Sequence, residues 1–284
     1  MGSAKAQGRL WSQAVRDWAQ VSEPLSRPLH EATLTALAPL VDLSLLDVGC
    51  GTGSVLQSAV RRGARVTGLD AAASMIAVAR ERLPDADLHV GDLEALPFDD
   101  GTFDVVTAFN SVQYAADPRV AVVEMARVTR RGGRVAIGVW AEPDRCQTDR
   151  VFQRIRTLAP PPPGAHAPLA VSTPGVVEDL LADAGLVLAA SGEVDCPFIF
   201  PDLSTAWRGQ ASIGPFRWAI EVAGEDLVHD TYAEALAPYR QPDGSYRQDN
   251  VFRYVIADRA VATHPAGAVD SCSEEIQPPA TDGL

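Results

Sequence analysis

The sequence predicts an α/β fold built on a doubly wound, mostly parallel sheet, and three features carry the prediction. From Leu43 to Trp140, short apolar runs alternate with helical segments. One run, Leu45-Leu46-Asp47-Val48, leads into Gly49-Cys50-Gly51-Thr52-Gly53, and a helix opens at Ser54. The next two runs close on acids, Asp70 and Asp92. Apolar strands that each feed a helix make a parallel sheet whose two faces are both covered.

Taken in order, residues 9–20 place Leu10, Trp11, Ala14, Val15 and Trp18 on one helical face, and a second helical stretch covers 29–40, after Pro24 and Pro28. Strands are expected at 43–48, 65–69, 87–90, 103–109 and 134–140, with helices at 54–62, 72–83 and 118–130 between them. Beyond Trp140 the rhythm changes. A helix over 147–158 shows Val151, Phe152, Ile155 and Leu158 on one side, and Pro160–Pro163 form a stiff connector. Ser172-Thr173-Pro174, with Glu178 and Asp179 behind, reads as a capped helix start and Gly185 as its stop. Strands follow at 186–190 and 193–200, then a helical insertion over 202–239, a turn at Pro242-Asp243-Gly244 and a last strand at 251–260. The organisation is therefore an N-terminal helical segment (1–40), an α/β core (41–140), a proline-rich helical insertion (141–172), the end of the sheet with a helical insertion at 202–240 (173–261), and a disordered tail (262–284).

Bulk composition narrows the function. The 284 residues carry 37 acidic against 24 basic side chains, a formal charge of −13, which disfavours a nucleic-acid partner. Lys5 is the only lysine, and the arginine-, alanine- and proline-rich usage reflects composition before chemistry. The four cysteines, Cys50, Cys146, Cys196 and Cys272, form no C-x-x-C pair and have no histidine at ligand spacing, so neither a metal site nor a disulfide framework is expected. No apolar stretch reaches the length of a membrane span, and the N-terminus lacks a signal peptide's apolar core, which gives a cytoplasmic expectation.

The glycine loop is the most informative segment. Glycines let the backbone turn sharply and approach a ligand, and the following helix N-terminus adds positive potential. Asp70, 21 residues beyond Gly49, suits a carboxylate that accepts both ribose hydroxyls of a nucleoside, and Asp92 lies where an adenine edge would fall. A lone Gly-x-Gly reads equally well as a tight turn. Three such elements at the carboxyl ends of successive strands do not. A dinucleotide fingerprint needs Gly or Ala where this chain has Ser54, so the loop suits a nucleoside without pyrophosphate.

Leu45–Gly53, Val66–Asp70, GDLEALPF (91–98), FDVVTAFNSVQY (103–114) and RGGRVAIGVW (131–140) together resemble the class I S-adenosylmethionine-dependent methyltransferases, in particular the ubiquinone/menaquinone-biosynthesis-like small-molecule branch. The resemblance implies a seven-stranded, Rossmann-like sheet, S-adenosyl-L-methionine as cofactor and a small-molecule acceptor, and it leaves a homodimer open. Position by position, it implies that Asp47, Gly49 and Gly51 hold the methionine end, with Gly53 allowing close loop–helix packing. Asp70 would take the ribose, Ala71 and Met75 would flank the adenine, Asp92 and Leu93 would meet its edge, and Phe109 and Asn110 would border the sulfonium. Plainer readings put Asp47 in a loop cap, Met75 in a helix core and Phe109 in a strand core.

Methyl transfer from a sulfonium is an in-line displacement that needs alignment and water exclusion, and needs a base only for a protonated nucleophile. Many relatives carry His near Gln113, and this chain does not. Gln113 and Tyr114 are candidates to orient an acceptor, and His30 is the first candidate base, against a plain satisfied histidine. His166 and His229 have weaker claims, and His89 and His264 none. Trp11 and Trp18 belong to a helix core or to a lid over the cofactor. The mixture Trp207, Arg208, Phe216, Arg217 and Trp218 suits either a pocket for a flat or acidic acceptor or a packed cap. Rival functions are a nicotinamide oxidoreductase, disfavoured by the loop spacing and the missing Tyr-x-x-x-Lys pair, a cofactor-assisted cyclase or decarboxylase, and a non-catalytic cofactor-binding regulator.

Overall fold

The computed structural model describes residues 3–161, 169 and 171–261. The tail from His264, the last prolines of the Pro160–Pro163 connector and His166 lie outside the described residues. In chain order the elements are α1 (Ala4–Trp11), α2 (Val15–Asp17), α3 (Arg27–Ala36), β1 (Ser44–Val48), α4 (Ser54–Val60), β2 (Arg65–Asp70), α5 (Ala73–Arg82), β3 (Asp87–Val90), β4 (Phe103–Phe109), α6 (Pro118–Val128), β5 (Thr129–Trp140), α7 (Gln147–Leu158), α8 (Val176–Asp183), β6 (Leu186–Asp195), β7 (Phe198–Phe200), α9 (Leu203–Ala211), α10 (Gly214–Ala223), α11 (Glu225–Leu236), β8 (Tyr246–Gln248) and β9 (Val251–Arg259).

Seven strands form one sheet in the order β3-β2-β1-β4-β5-β9-β6, and β7 pairs with β8 in a separate ribbon. The strands from β3 to β5 run parallel, while β9 enters antiparallel between β5 and β6. Strand order reverses between β1 and β4, the switch point at which doubly wound sheets bind ligands. Leu45, Leu46, Val105, Val106, Ala136 and Ile137 are at most 1% exposed, the two-sided burial that their unbroken apolar runs predict. The long helical insertion α9–α11 packs its own aromatic cluster: Phe216 stands 5.6 Å from Tyr232, and Trp207 stands 6.4 Å from Phe216.

Four expectations need correction. The helix expected over 9–20 is broken: α1 ends at Trp11, where the Ser12 hydroxyl donates back to the Gly8 carbonyl (2.6 Å), and Ala14 leaves helical geometry. The chain then passes through α2 into a π-helical turn, Trp18–Ser22, a form common at functional sites. The expected pair of strands at 186–190 and 193–200 is one strand, β6, followed by the short β7. Gly192 is not a turn there; it makes room for the Tyr254 ring on β9, whose hydroxyl lies 2.5 Å from where a Cβ would sit. β5 starts at Thr129 rather than at 134, with Gly132 in the left-handed region (φ 74°) before the ladder with β4 resumes. Finally, α8 starts at Val176 behind Gly175 (φ 90°), and no side chain of the Ser172–Pro174 segment caps it.

Candidate functional site

The carboxyl ends of the parallel strands converge on one cavity of about 1330 Å³, its open mouth included. Asp47, Gly49, Cys50 and Gly51 line it from the β1–α4 loop, Asp70, Ala71 and Met75 from β2–α5, Gly91, Asp92 and Leu93 from the end of β3, and Phe109, Asn110 and Ser111 from the end of β4. The glycine loop is shaped by positive backbone angles at Gly49 (φ 79°), Gly51 (φ 54°) and Gly53 (φ 88°). A Cβ on Gly49 would stand 2.4 Å from that of Ser111, so β1 and β4 approach too closely there for any side chain.

Asp70 holds this loop together. One carboxylate oxygen accepts the Gly51 amide (2.9 Å) and the other the Ala72 amide at the start of α5 (2.8 Å). Burial nevertheless raises its pKa above the ordinary carboxylate range. Asp47 is 1% exposed and accepts the Thr107 hydroxyl (2.7 Å). Burial, reinforced by the charges of Asp70 and Glu23, pushes its pKa up to about 7, against the pull of Thr107. Asp92 accepts the Glu94 amide (3.0 Å), and Glu94 in turn accepts the Ser3 amide (3.0 Å), tying α1 to the end of β3. Met75 is buried against Ala72 and Val15.

The N-terminal segment closes one side. Trp11 and Trp18 meet edge to face at 5.1 Å, and Trp11 meets Tyr114 at 5.5 Å; all three line the cavity. Below them Glu23, 6% exposed, accepts the Thr52 hydroxyl and an Arg82 N–H, each at 2.5 Å, fastening the π-helical turn to the glycine loop. On the far side the cavity continues under the cap between Leu25, Trp140, Phe152, Phe198 and Ile213. His30 lies at the junction, its ring 4.8 Å from that of Phe109. Burial lowers its pKa to about 4, so the ring is neutral at pH 7.

Of the residues singled out in the sequence, the cavity gathers His30, Asp47, Gly49, Gly51, Asp70, Ala71, Met75, Asp92, Leu93, Phe109, Asn110 and Tyr114. Gly53 stands outside its wall, where a Cβ would meet Leu83 Cδ1 at 3.2 Å across the loop–helix contact. Gln113 does not line it, which removes its role in orienting an acceptor. Residues in the tight turn Val112–Tyr114 point in divergent directions, so Tyr114 faces the cavity while Gln113 is wholly buried, its amide without a hydrogen-bond partner among the described residues. The Trp207–Trp218 mixture is cap packing: Arg208 pairs outward with Asp17 (2.6 Å), and Trp207 contacts His229 (5.1 Å between centroids). Sequence reasoning missed Glu23, which carries no spacing signal. It also missed the cavity's far wall of Trp140, Phe198, Gln210 and Ile213, which comes together from distant segments. Among the described residues no cluster of metal-ligating side chains occurs, and no helix is long and apolar enough to cross a membrane.

A glycine loop and acids at the ends of β1, β2 and β3, converging on the switch point of a doubly wound sheet, define an α/β nucleoside-cofactor protein whose second compartment sits under a helical cap. Comparison with known proteins narrows the class. A methyltransferase-domain family matches residues 46–137. The malonyl-[acyl-carrier protein] O-methyltransferase of Erwinia pyrifoliae is 34% identical over 205 residues, 72% of this chain and 74% of that protein. The demethylmenaquinone methyltransferase of Renibacterium salmoninarum is 37% identical over 118 residues, 42% of this chain and 50% of that one. A crystal structure from Bacillus halodurans shares the fold at 18% identity, with a TM-score of 0.57 over 81% of this chain and 98% of its own. The chain belongs to the class I S-adenosylmethionine-dependent methyltransferases. It spans 38 to 74% of the length of the curated relatives that it matches.

Proposed function

We propose that this chain binds S-adenosyl-L-methionine along the carboxyl edge of the sheet and transfers its methyl group to a small molecule held under the cap. The observation that carries the reading is that Asp47, Asp70 and Asp92, from three successive strand ends, line one cavity with the glycine loop. The residues present fit the cofactor. Asp47, whose ionised form is held back by burial and by like charges, gains from a cation beside it and would meet the methionine ammonium. Asp70 has both oxygens engaged by one backbone amide each, and a carboxylate's remaining lone pairs are available to ribose hydroxyls. Ala71 and Met75 would flank the adenine, with Asp92 and Leu93 at its edge. Phe109 and Asn110 would border the sulfonium; the Asn110 side-chain oxygen is buried without a partner among the described residues, and its backbone sits at φ 49°.

The cofactor supplies an electrophilic methyl group on a good leaving sulfur. The protein's share is alignment and exclusion of water. Trp11, Trp18 and Tyr114 cover the cofactor side, and Trp140, Phe152 and Phe198 wall the acceptor side. Burial pushes the Tyr114 pKa up from its ordinary value, so its hydroxyl stays protonated and acts as a hydrogen-bond donor. His30, neutral and with a pKa of about 4, can accept a hydrogen bond but is a weak base.

Calorimetry with S-adenosylhomocysteine tests the cofactor assignment. Asp70→Ala loses two ribose hydrogen bonds to a charged acceptor, each worth about 1.5–3 kcal/mol, and should weaken binding at least about tenfold. Unchanged affinity in a folded variant would take Asp70 out of the site.

A further inference from the structure

We infer that the compartment under the cap takes an uncharged, largely apolar acceptor that carries a hydroxyl, and discriminates against carboxylate- and phosphate-bearing molecules. The inference rests on the methyl-transfer reading above and adds to it the chemical class of the acceptor.

The first ground is the location of positive charge. The chain has 24 lysines and arginines, all of them among the described residues, and none of them lines the cavity. Two arginines near the site are engaged elsewhere, and a third, Arg217 on α10, has its Nε buried without a hydrogen-bond partner among the described residues but does not line the cavity. Arg82 is turned behind the glycine loop onto Glu23, and Arg208 pairs with Asp17 on the outer face of the cap. His30 supplies no charge either, because burial keeps it neutral. The start of α10, beside Ile213, offers a poor anion seat: Pro215 has no N–H, and the amides of Phe216 and Arg217 both donate to the Ile213 carbonyl (3.1 and 3.0 Å). Meanwhile Asp47, Asp70, Asp92 and Glu23 stand along the other end of the same cavity. An anionic acceptor would leave water for apolar walls with no lysine or arginine, facing acids, and with the cofactor's sulfonium as its one neighbouring cation.

The second ground is unsatisfied polarity. The acceptor side is walled by Leu25, Trp140, Phe152, Phe198 and Ile213, interrupted by the polar residues Ser22, Ser26, His30 and Gln210. His30 Nδ1 and Gln210 Oε1 are both buried with no hydrogen-bond partner among the described residues. A buried polar atom left unpaired is costly, and a hydroxyl, which can donate or accept, relieves either atom in either histidine tautomer. A few polar groups in an apolar wall select by orientation, as ligand pockets commonly do.

The test uses matched probes: 4-hydroxybenzoate, 4-hydroxycinnamate and 6-hydroxy-2-naphthoate, each as free acid, as methyl ester, and as methyl ester with its hydroxyl methylated. Binding at pH 7.5 is followed by tryptophan fluorescence, with and without saturating S-adenosylhomocysteine, whose own binding is measured separately by calorimetry. The hydroxy-esters should bind at least tenfold tighter than the acids and several-fold tighter than the ethers. Gln210→Arg should shift the ester-to-acid preference at least tenfold toward the acid while S-adenosylhomocysteine affinity is retained. Acids that bind as tightly as their esters, or binding by no member of the series, would overturn the inference. Failure of S-adenosylhomocysteine to bind, with the ester preference intact, would instead strike the methyl-transfer reading alone.

Discussion

Replacing Asp47 by Asn should make the empty protein more stable and its hold on S-adenosylmethionine weaker, with both effects largest at alkaline pH. Asp47 is 1% exposed, and its pKa is pushed up to about 7 by burial and by the charges of Asp70 and Glu23. A carboxyl whose pKa is raised on folding contributes stability that is fully present below its unfolded value, near 4. That stability fades as pH rises and is gone above about 7. At pH 8 the native carboxylate is therefore ionised at a cost of roughly 3–5 kcal/mol, taking 1.36 kcal/mol per pH unit and allowing about a unit of error. Asn has no such charge and can still accept the Thr107 hydroxyl, so the variant's melting temperature should rise by several degrees at pH 8 and by about a third as much at pH 5. Binding moves the other way. At pH 8 the variant lacks a charge-assisted hydrogen bond to the ammonium, worth about 1.5–3 kcal/mol, and should bind roughly ten- to hundredfold more weakly. Wild-type affinity should itself fall by about tenfold between pH 8 and 6, as the carboxylate takes up a proton, while the variant's stays flat. Thermal melting of the empty protein and calorimetry with S-adenosylhomocysteine at both pH values measure all of these. An Asp47→Asn variant that melts lower than wild type at pH 8 and binds equally well would return Asp47 to the status of a loop-capping acid.

His30→Gln should lower kcat by no more than about tenfold and leave the pH profile of kcat unchanged between 6 and 8, because the ring is already neutral there. A hundredfold loss, together with the disappearance of a limb near pH 6.5, would make His30 a general base. Deleting residues 1–20 removes Trp11 and Trp18 from the cavity wall but leaves the Glu23–Thr52–Arg82 fastening, so turnover should fall more than melting temperature. Equal losses of both would mark the segment as ordinary core.

What the sequence determined by itself is the sheet and the glycine loop at its carboxyl edge, because both are written in local requirements. Period and burial fix the strands: Leu45, Val105 and Ile137 can only be strand residues of a doubly covered sheet. The left-handed backbone at Gly49, Gly51 and Gly53 demands glycine at those positions whatever the rest of the chain does. Asp70 and Asp92 follow from their place at strand ends. Where local cues conflicted with a neighbour in space, the sequence misled. The strand expected to end at 190 runs on through Gly192, which makes room for the Tyr254 ring on the adjacent strand, and Gln113 resembles a site residue until the tight turn at 112–114 points it inward. The acceptor compartment was decided by tertiary structure alone. Trp140, Phe152, Phe198 and Ile213 are separated by up to 73 residues, and Glu23 reaches Thr52 and Arg82 only because the N-terminal segment folds back over the glycine loop. Apolar burial is non-directional, so a sequence tells which side chains will be buried but not against which partners; that choice falls to the packing of distant segments.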